Sequence, residues 1–194
     1  NSKVFLRENP EIAKEIEKYK TSANSNHGYY IGRYEAWVNG FSVCKSGKGV
    51  WNWVSKYEAS ELSRDMSGSE AKVTSDLINS YAWDTAIVFI QECGTENNSS
   101  TYSKTVGESS TSTGEPQATG TNILKATNKI DKQCNIFDMA GNCFEWTTET
   151  SSNSFNSCVY RGGDYGSSFG FPSFRYGNDP SVAISYSSFR PLLY

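Results

Sequence analysis

The sequence predicts an α+β domain in which two helices flank a twisted, mostly antiparallel sheet. Three observations carry that expectation. Ser55–Lys56–Tyr57–Glu58 and Asn79–Ser80 are helix-start signals ahead of short amphipathic runs. Aromatic-rich stretches broken by Gly and Asn read as strands and turns. At 194 residues the chain suits one domain with a sizeable core, and 14% aromatic residues with 16 glycines suit a loop-rich one.

Composition narrows the function classes. A formal net charge of −3 gives no general attraction to nucleic acid or to an anionic membrane, so neither is an expected partner. No apolar run approaches the roughly 20 residues of a membrane-spanning helix, and no membrane insertion is expected. The sequence opens at Asn1 without a signal-peptide pattern; a boundary inside a longer protein would place any export signal upstream. Cys44, Cys93, Cys134, Cys143 and Cys158 are odd in number and lack C-x-x-C spacing. That argues against a structural zinc site and for a reduced compartment or sporadic pairing.

Asn9–Pro10–Glu11 opens a helix, and Ile12, Ile16 and Tyr19 recur on one face of it. Residues 1–27 therefore read as an N-terminal helix or linker and 28–194 as the domain proper. Gly28 to Val38 reads as a strand that continues toward Phe41–Val43 after Asn39–Gly40, a hairpin signal. Lys45 to Gly49 is a turn; it lacks the first glycine of a phosphate loop. The Ser55–Glu58 capping box starts a helix through about Met66. Val73 to Ile78 is extended, and Asn79–Ser80 caps a second helix with Trp83, Ala86, Ile87 and Ile90 on one face and Gly94 as its stop. From Thr95 to about Lys129 the chain is polar and reads as a long surface excursion. Within it, Asn98–Ser99–Ser100 matches a glycosylation triplet and Glu115–Pro116–Gln117 reads as a turn. The single histidine, His27, sits in a polar run and reads as a solvated loop residue.

Asp138–Met139–Ala140–Gly141–Asn142–Cys143–Phe144–Glu145–Trp146, followed by Arg161–Gly162–Gly163 and Phe189–Arg190–Pro191, resembles the signature of formylglycine-generating-enzyme-like (sulfatase-modifying factor) proteins, a branch of the C-type lectin fold. Tyr30–Ile31–Gly32–Arg33–Tyr34–Glu35 and Trp83–Asp84–Thr85–Ala86 fit the same family in order. Two readings of the signature stay open. One is a tight Gly-Asn turn leading into a strand with Trp146 in the core. The other is a structural calcium, which the resemblance implies at positions matching Asp138, Gly141, Cys143 and Glu145. Apart from that calcium, no cofactor is expected.

Catalysis is not expected. The oxygen-dependent enzymes of this family need a cysteine pair shortly after Arg-Gly-Gly, whose thiolates bind copper(I). Here no cysteine follows Cys158. The related iron-dependent sulfoxide synthases need several histidines, and His27 cannot build such a site alone. No catalytic residues are therefore assigned.

Between Tyr160 and Tyr194 there is no lysine, and Tyr, Phe, Ser and Gly dominate, as in a paratope. This tail, from about 160 to 194, resembles the variable region of diversity-generating retroelement proteins, which share the fold and end much like Phe189–Arg190–Pro191–Leu192–Leu193–Tyr194. Those elements randomise adenines. The resemblance implies variable, ligand-contacting positions at Asp164, Ser167, Ser168, Phe169, Phe171, Phe174, Tyr176, Asn178, Asp179, Ile184 and Tyr186. Arg161, Gly162, Gly163, Pro172, Arg175, Phe189 and Arg190 are then framework, and Tyr160, Phe189 and Tyr165 are core. The expected surface is a partly exposed aromatic patch whose loops are held by backbone hydrogen bonds. The implied role is a non-enzymatic receptor-binding protein of a phage tail or bacterial cell surface, aimed at a protein or glycan target on a cell. A homo-oligomer or larger virion or surface assembly would multiply weak single-site binding. The rivals are a degenerate relative that binds a peptide in the old substrate groove and an enzyme acting on peptides through other residues.

Overall fold

The computed structural model describes residues 10–37, 45–68, 72–95, 100, 102, 115–124, 128–166 and 171–194, without the side chains of Glu11 and Ile12. The predicted helix starts form as drawn. Ser55 caps α2 (Lys56–Arg64) by accepting the Glu58 N–H while Glu58 reaches back to the Ser55 N–H, and a 3-10 turn, Asp65–Ser67, follows. Asn79 caps α3 (Ser80–Cys93) by accepting the Ala82 N–H at 2.8 Å. Gly94 ends α3 in extended rather than left-handed backbone.

Helix α1 (Pro10–Ser25) lies ahead of these. It packs on the domain, because Tyr19 is buried and meets Tyr29 and Tyr194 edge to face at 5.4 and 5.5 Å. Asn9 and the Asn39–Gly40 hairpin signal lie outside the described residues.

Eleven strands pair among the described residues. β1 (Tyr30–Ile31) and β2 (Ser75–Leu77) both run antiparallel to β11 (Pro191–Leu193), which lies between them. Short ladders join β3 (Ile123–Leu124) to β4 (Lys129–Ile130) and β5 (Lys132–Gln133) to β6 (Ile136–Phe137). The four-stranded sheet comprises β7 (Phe144–Thr150), β8 (Cys158–Arg161), β9 (Arg175–Asn178) and β10 (Ser187–Phe189), in the order β10-β7-β8-β9. Its β10–β7 pair is parallel and the others antiparallel. Only Arg190 separates β10 from β11, so one continuous run of chain serves both sheets.

The long strand expected from Gly28 to Val38 is shorter than predicted. After Ile31 the chain keeps to the C-terminal strands, with Gly32 N–H to Pro191 O and Ala36 N–H to Phe189 O, but it bends between them. The bend carries the Glu35 side chain into the interior, where it accepts the Cys143 N–H at 3.1 Å. A burial need has overridden strand propensity.

The polar excursion is also not all surface, which corrects the sequence reading. Tyr102 is buried with its hydroxyl on Asp131, and Thr119 and Asn122 are buried. Two apolar clusters complete the interior. One joins α3 through Trp83, Ile87 and Ile90 to Leu192 and Tyr194. The other lies on the four-stranded sheet around Phe144, Trp146, Tyr160 and Phe189.

Candidate binding surface

The signature residues hold the fold together. Arg190, fully buried, donates to both Glu145 oxygens, Nε to Oε2 at 2.9 Å and Nη2 to Oε1 at 2.6 Å. Two further donors, on Nη1 and Nη2, reach the carbonyls of Gly32 and Phe137 at 2.8 Å each. This two-pronged geometry, with extra carbonyl partners, is what a buried ion pair needs to offset its desolvation. Trp146 donates to Val54 O at 2.9 Å. Asn142, in left-handed backbone, donates to Glu35 at 2.5 Å and exchanges hydrogen bonds with the backbone of Gln117.

Four buried carboxyl groups share this centre: Glu35, Asp131, Asp138 and Glu145. Burial pushes Asp138 up to about 8 and Asp131 up to about 6, against the pull of their hydrogen bonds and Arg190. Burial, reinforced by the charges of Asp138 and Glu145, holds Glu35 well above the usual carboxylate range. The Cys143 thiol is pushed up by burial and then by Glu35, so it stays neutral and is a poor nucleophile.

At the positions matching a calcium site, three of the four carboxylate oxygens of Asp138 and Glu145 are engaged within the protein. Both Glu145 oxygens are taken by Arg190, and Asp138 Oδ2 accepts the Gly120 N–H at 2.5 Å. Asp138 Oδ1 is buried without a hydrogen-bond partner among the described residues. Among the described residues, no three His, Cys, Asp or Glu side chains converge as a metal cage.

The tail is anchored at the residues expected to be framework. Buried Arg161 donates to Phe174 O at 3.1 Å and pairs with Asp84 at 2.6 Å and Glu149 at 3.4 Å. Half-exposed Arg175 bonds the same two carboxylates at 2.7 and 2.9 Å. Trp83 donates to Pro172 O at 2.7 Å. Gly162, at φ +96°, lies where an added Cβ would sit 2.9 Å from Met139 O and 3.4 Å from the Trp83 ring. Side chains clamp some of the tail's carbonyls, and backbone hydrogen bonds hold its loops as expected, among them Tyr165 N–H to Asn142 O, Phe174 N–H to Phe171 O and Lys56 N–H to Pro180 O.

The tail's candidate contact residues divide. Tyr176 is 52% exposed on β9, and its ring is nearly parallel to that of Tyr160, 14° apart at 5.7 Å. Phe174 is half-buried and stacks with Tyr176 at 6.3 Å, while half-buried Tyr186 meets Phe144 edge to face at 6.1 Å. The patch is thus continuous with the core beneath it. Phe171 and Ile184 are half-buried, and Ile184 O accepts the Trp53 N–H. Half-buried Asn178 accepts the Asp179 N–H, and exposed Asp179 accepts from Ser181. Asp164 is only 7% exposed and its Oδ1 caps the turn at Gly166, so in this conformation it faces inward. Ser167, Ser168 and Phe169 lie outside the described residues. Tyr160 and Phe189 are buried as expected; Tyr165 is half-buried with its hydroxyl on Ser185.

Sequence reasoning missed Trp53 and Tyr57, which stand 64% and 61% exposed beside the tail. The Lys56 N–H donates to Pro180 O, which ties this segment to the tail's last loop. Only the capping box was visible there; the neighbouring rings carried no periodic signal.

The described architecture is mixed α+β and consistent with a C-type-lectin-like fold. Among solved structures it is similar to Treponema denticola variable protein 1, with a TM-score of 0.50 and 16% identity over 81% of this chain and 74% of that chain. At that identity the likeness concerns the fold alone. No protein-family model matches the chain, and no curated protein matches it in sequence.

Proposed function

We propose that this chain is a non-catalytic ligand-binding protein, a variable protein of the diversity-generating retroelement kind on a formylglycine-generating-enzyme-like scaffold. Its tail, about 160 to 194, displays the contact surface. The observation that carries this reading is the partition within the tail. Arg161 and Arg190 are buried and clamped, whereas Tyr176 and Asp179 stand at the surface on strand and turn positions the clamps hold. A scaffold of that kind tolerates exchange of the displayed residues, because few buried contacts depend on them. Exposed aromatic side chains on a rigid support are suited to anchoring a partner. The target is a protein or glycan on a cell surface, met from a virion or a bacterial surface.

The DNA around the coding sequence tests the retroelement part. An imperfect copy of the tail's coding segment, differing almost only where the copy has adenine, is expected nearby; without one, the variable-region reading falls. Incubation with copper(I), oxygen and cysteine-containing peptides tests the other part. No turnover is expected, and any formylglycine product overturns the non-catalytic assignment.

A further inference from the structure

We propose that Lys56 and Cys158 form a modification site, at which peroxide joins the two side chains through a nitrogen–sulfur bond and so locks the start of α2 to the sheet that carries the tail. The inference does not depend on the binding reading and uses two side chains which that reading leaves out.

Lys56 Nζ lies 3.4 Å from Cys158 Sγ, although the two residues are 102 positions apart in the chain. The backbone holds both ends of the pair. Lys56 is the first residue of α2, and its N–H donates to Pro180 O at 3.0 Å. Cys158 opens β8, where it stands opposite Thr150 of β7 and Asn178 of β9. Among the described residues, no carboxylate pairs with the Lys56 ammonium. A cation in the first turn of a helix also opposes the helix macrodipole. Ion pairing and helix electrostatics therefore do not account for this amine; its contact is the thiol.

The sulfur's surroundings select the chemistry. Cys158 is 5% exposed and carries no disulfide. Exchange with a bulky disulfide needs in-line access to the sulfur, which that burial denies, whereas hydrogen peroxide is little larger than water. The thiol gives an electron pair to one peroxide oxygen, forming a sulfenic acid and releasing water. Lys56 Nζ, having given one proton to solvent, then attacks the sulfur. The S–N bond forms, the S–O bond breaks, and the hydroxyl leaves as water with a second amine proton. Sulfur has lost two electrons, peroxide has gained two, and the linked side chains are two hydrogens lighter than the thiol and free amine. An amine already beside the sulfenic acid reacts ahead of any nucleophile that must diffuse in.

The test treats the full chain with hydrogen peroxide, digests it without reductant and reads the peptides by tandem mass spectrometry. The peptides carrying Lys56 and Cys158 should appear joined, lighter by two hydrogens than their sum. Dithiothreitol should release them, because a thiolate attacks the sulfur of this bond as it does a disulfide. Lys56→Arg keeps the charge but should give no joined peptide, and its Cys158 should accumulate as sulfenic acid trapped by dimedone. The linked chain should melt about 10 °C or more above the untreated one, since closing a loop of this length restricts the unfolded state. Sulfenic acid trapped at Cys158 in the parent, with Lys56 unlinked, overturns the site. So does an unoxidised Cys158 in a chain whose exposed Cys93 is fully oxidised. A joined peptide that leaves the melting point unchanged overturns the lock.

Discussion

Glu145–Arg190 and Tyr176–Asp179 are two regions of one domain, and the tail contributes to both. At the first, Arg190 is fully buried and its guanidinium is matched by two carboxylate oxygens and two carbonyls. At the second, an exposed ring stacks on the core and exposed Asp179 bonds within its own turn. The difference teaches where substitution is tolerated. A side chain whose removal orphans a buried partner cannot vary, whereas one whose bonds are local or shared with water can.

Removing Arg190 should break the first region most severely. Arg190→Met leaves Glu145 buried and unpaired and should cost about 3–5 kcal/mol in urea denaturation. A loss under about 1 kcal/mol would erase the contrast. Phe144→Ala probes the floor on which Tyr160, Phe174 and Tyr186 rest. It should cost about 3 kcal/mol, read the same way, because the cavity is lined by rings that cannot collapse fully.

The pH dependence comes next. An unfolded Asp titrates near pH 4. Folded Asp131 and Asp138 hold their protons to about 6 and about 8. Between those limits the folded chain binds more protons than the unfolded one, so this stabilisation, full below about pH 4, is lost as pH rises to about 8. Thermal midpoints should therefore decline from pH 5 to 8.5, and Asp138→Asn should flatten the decline. A slope unchanged in the variant would mean that Asp138 is ionised in the fold. The smallest effect is expected at the surface: Tyr176→Ser should change stability by no more than about 1 kcal/mol in the same denaturation assay. A larger loss would move Tyr176 from the displayed set to the framework.

Much of the architecture was legible because local signals agreed with it. Ser55–Glu58 and Asn79 start helices through bonds to their own first turns, and no distant residue need be known to see that. The strand from Gly28 was overextended because its propensity is local, while the bend answers the burial of Glu35, whose partner Cys143 is 108 residues away.

The sequence by itself determined the helix caps, the apolar faces of the helices and the kinds of side chain available to the tail. Those follow from spacing and from chemistry carried within a few residues. Only the tertiary structure decided which carboxylates are buried, that Glu145 belongs to Arg190, and that Trp53 is turned outward beside Ile184. Each depends on groups far apart in the chain meeting where water is excluded, and burial and long-range pairing have no local signature to read.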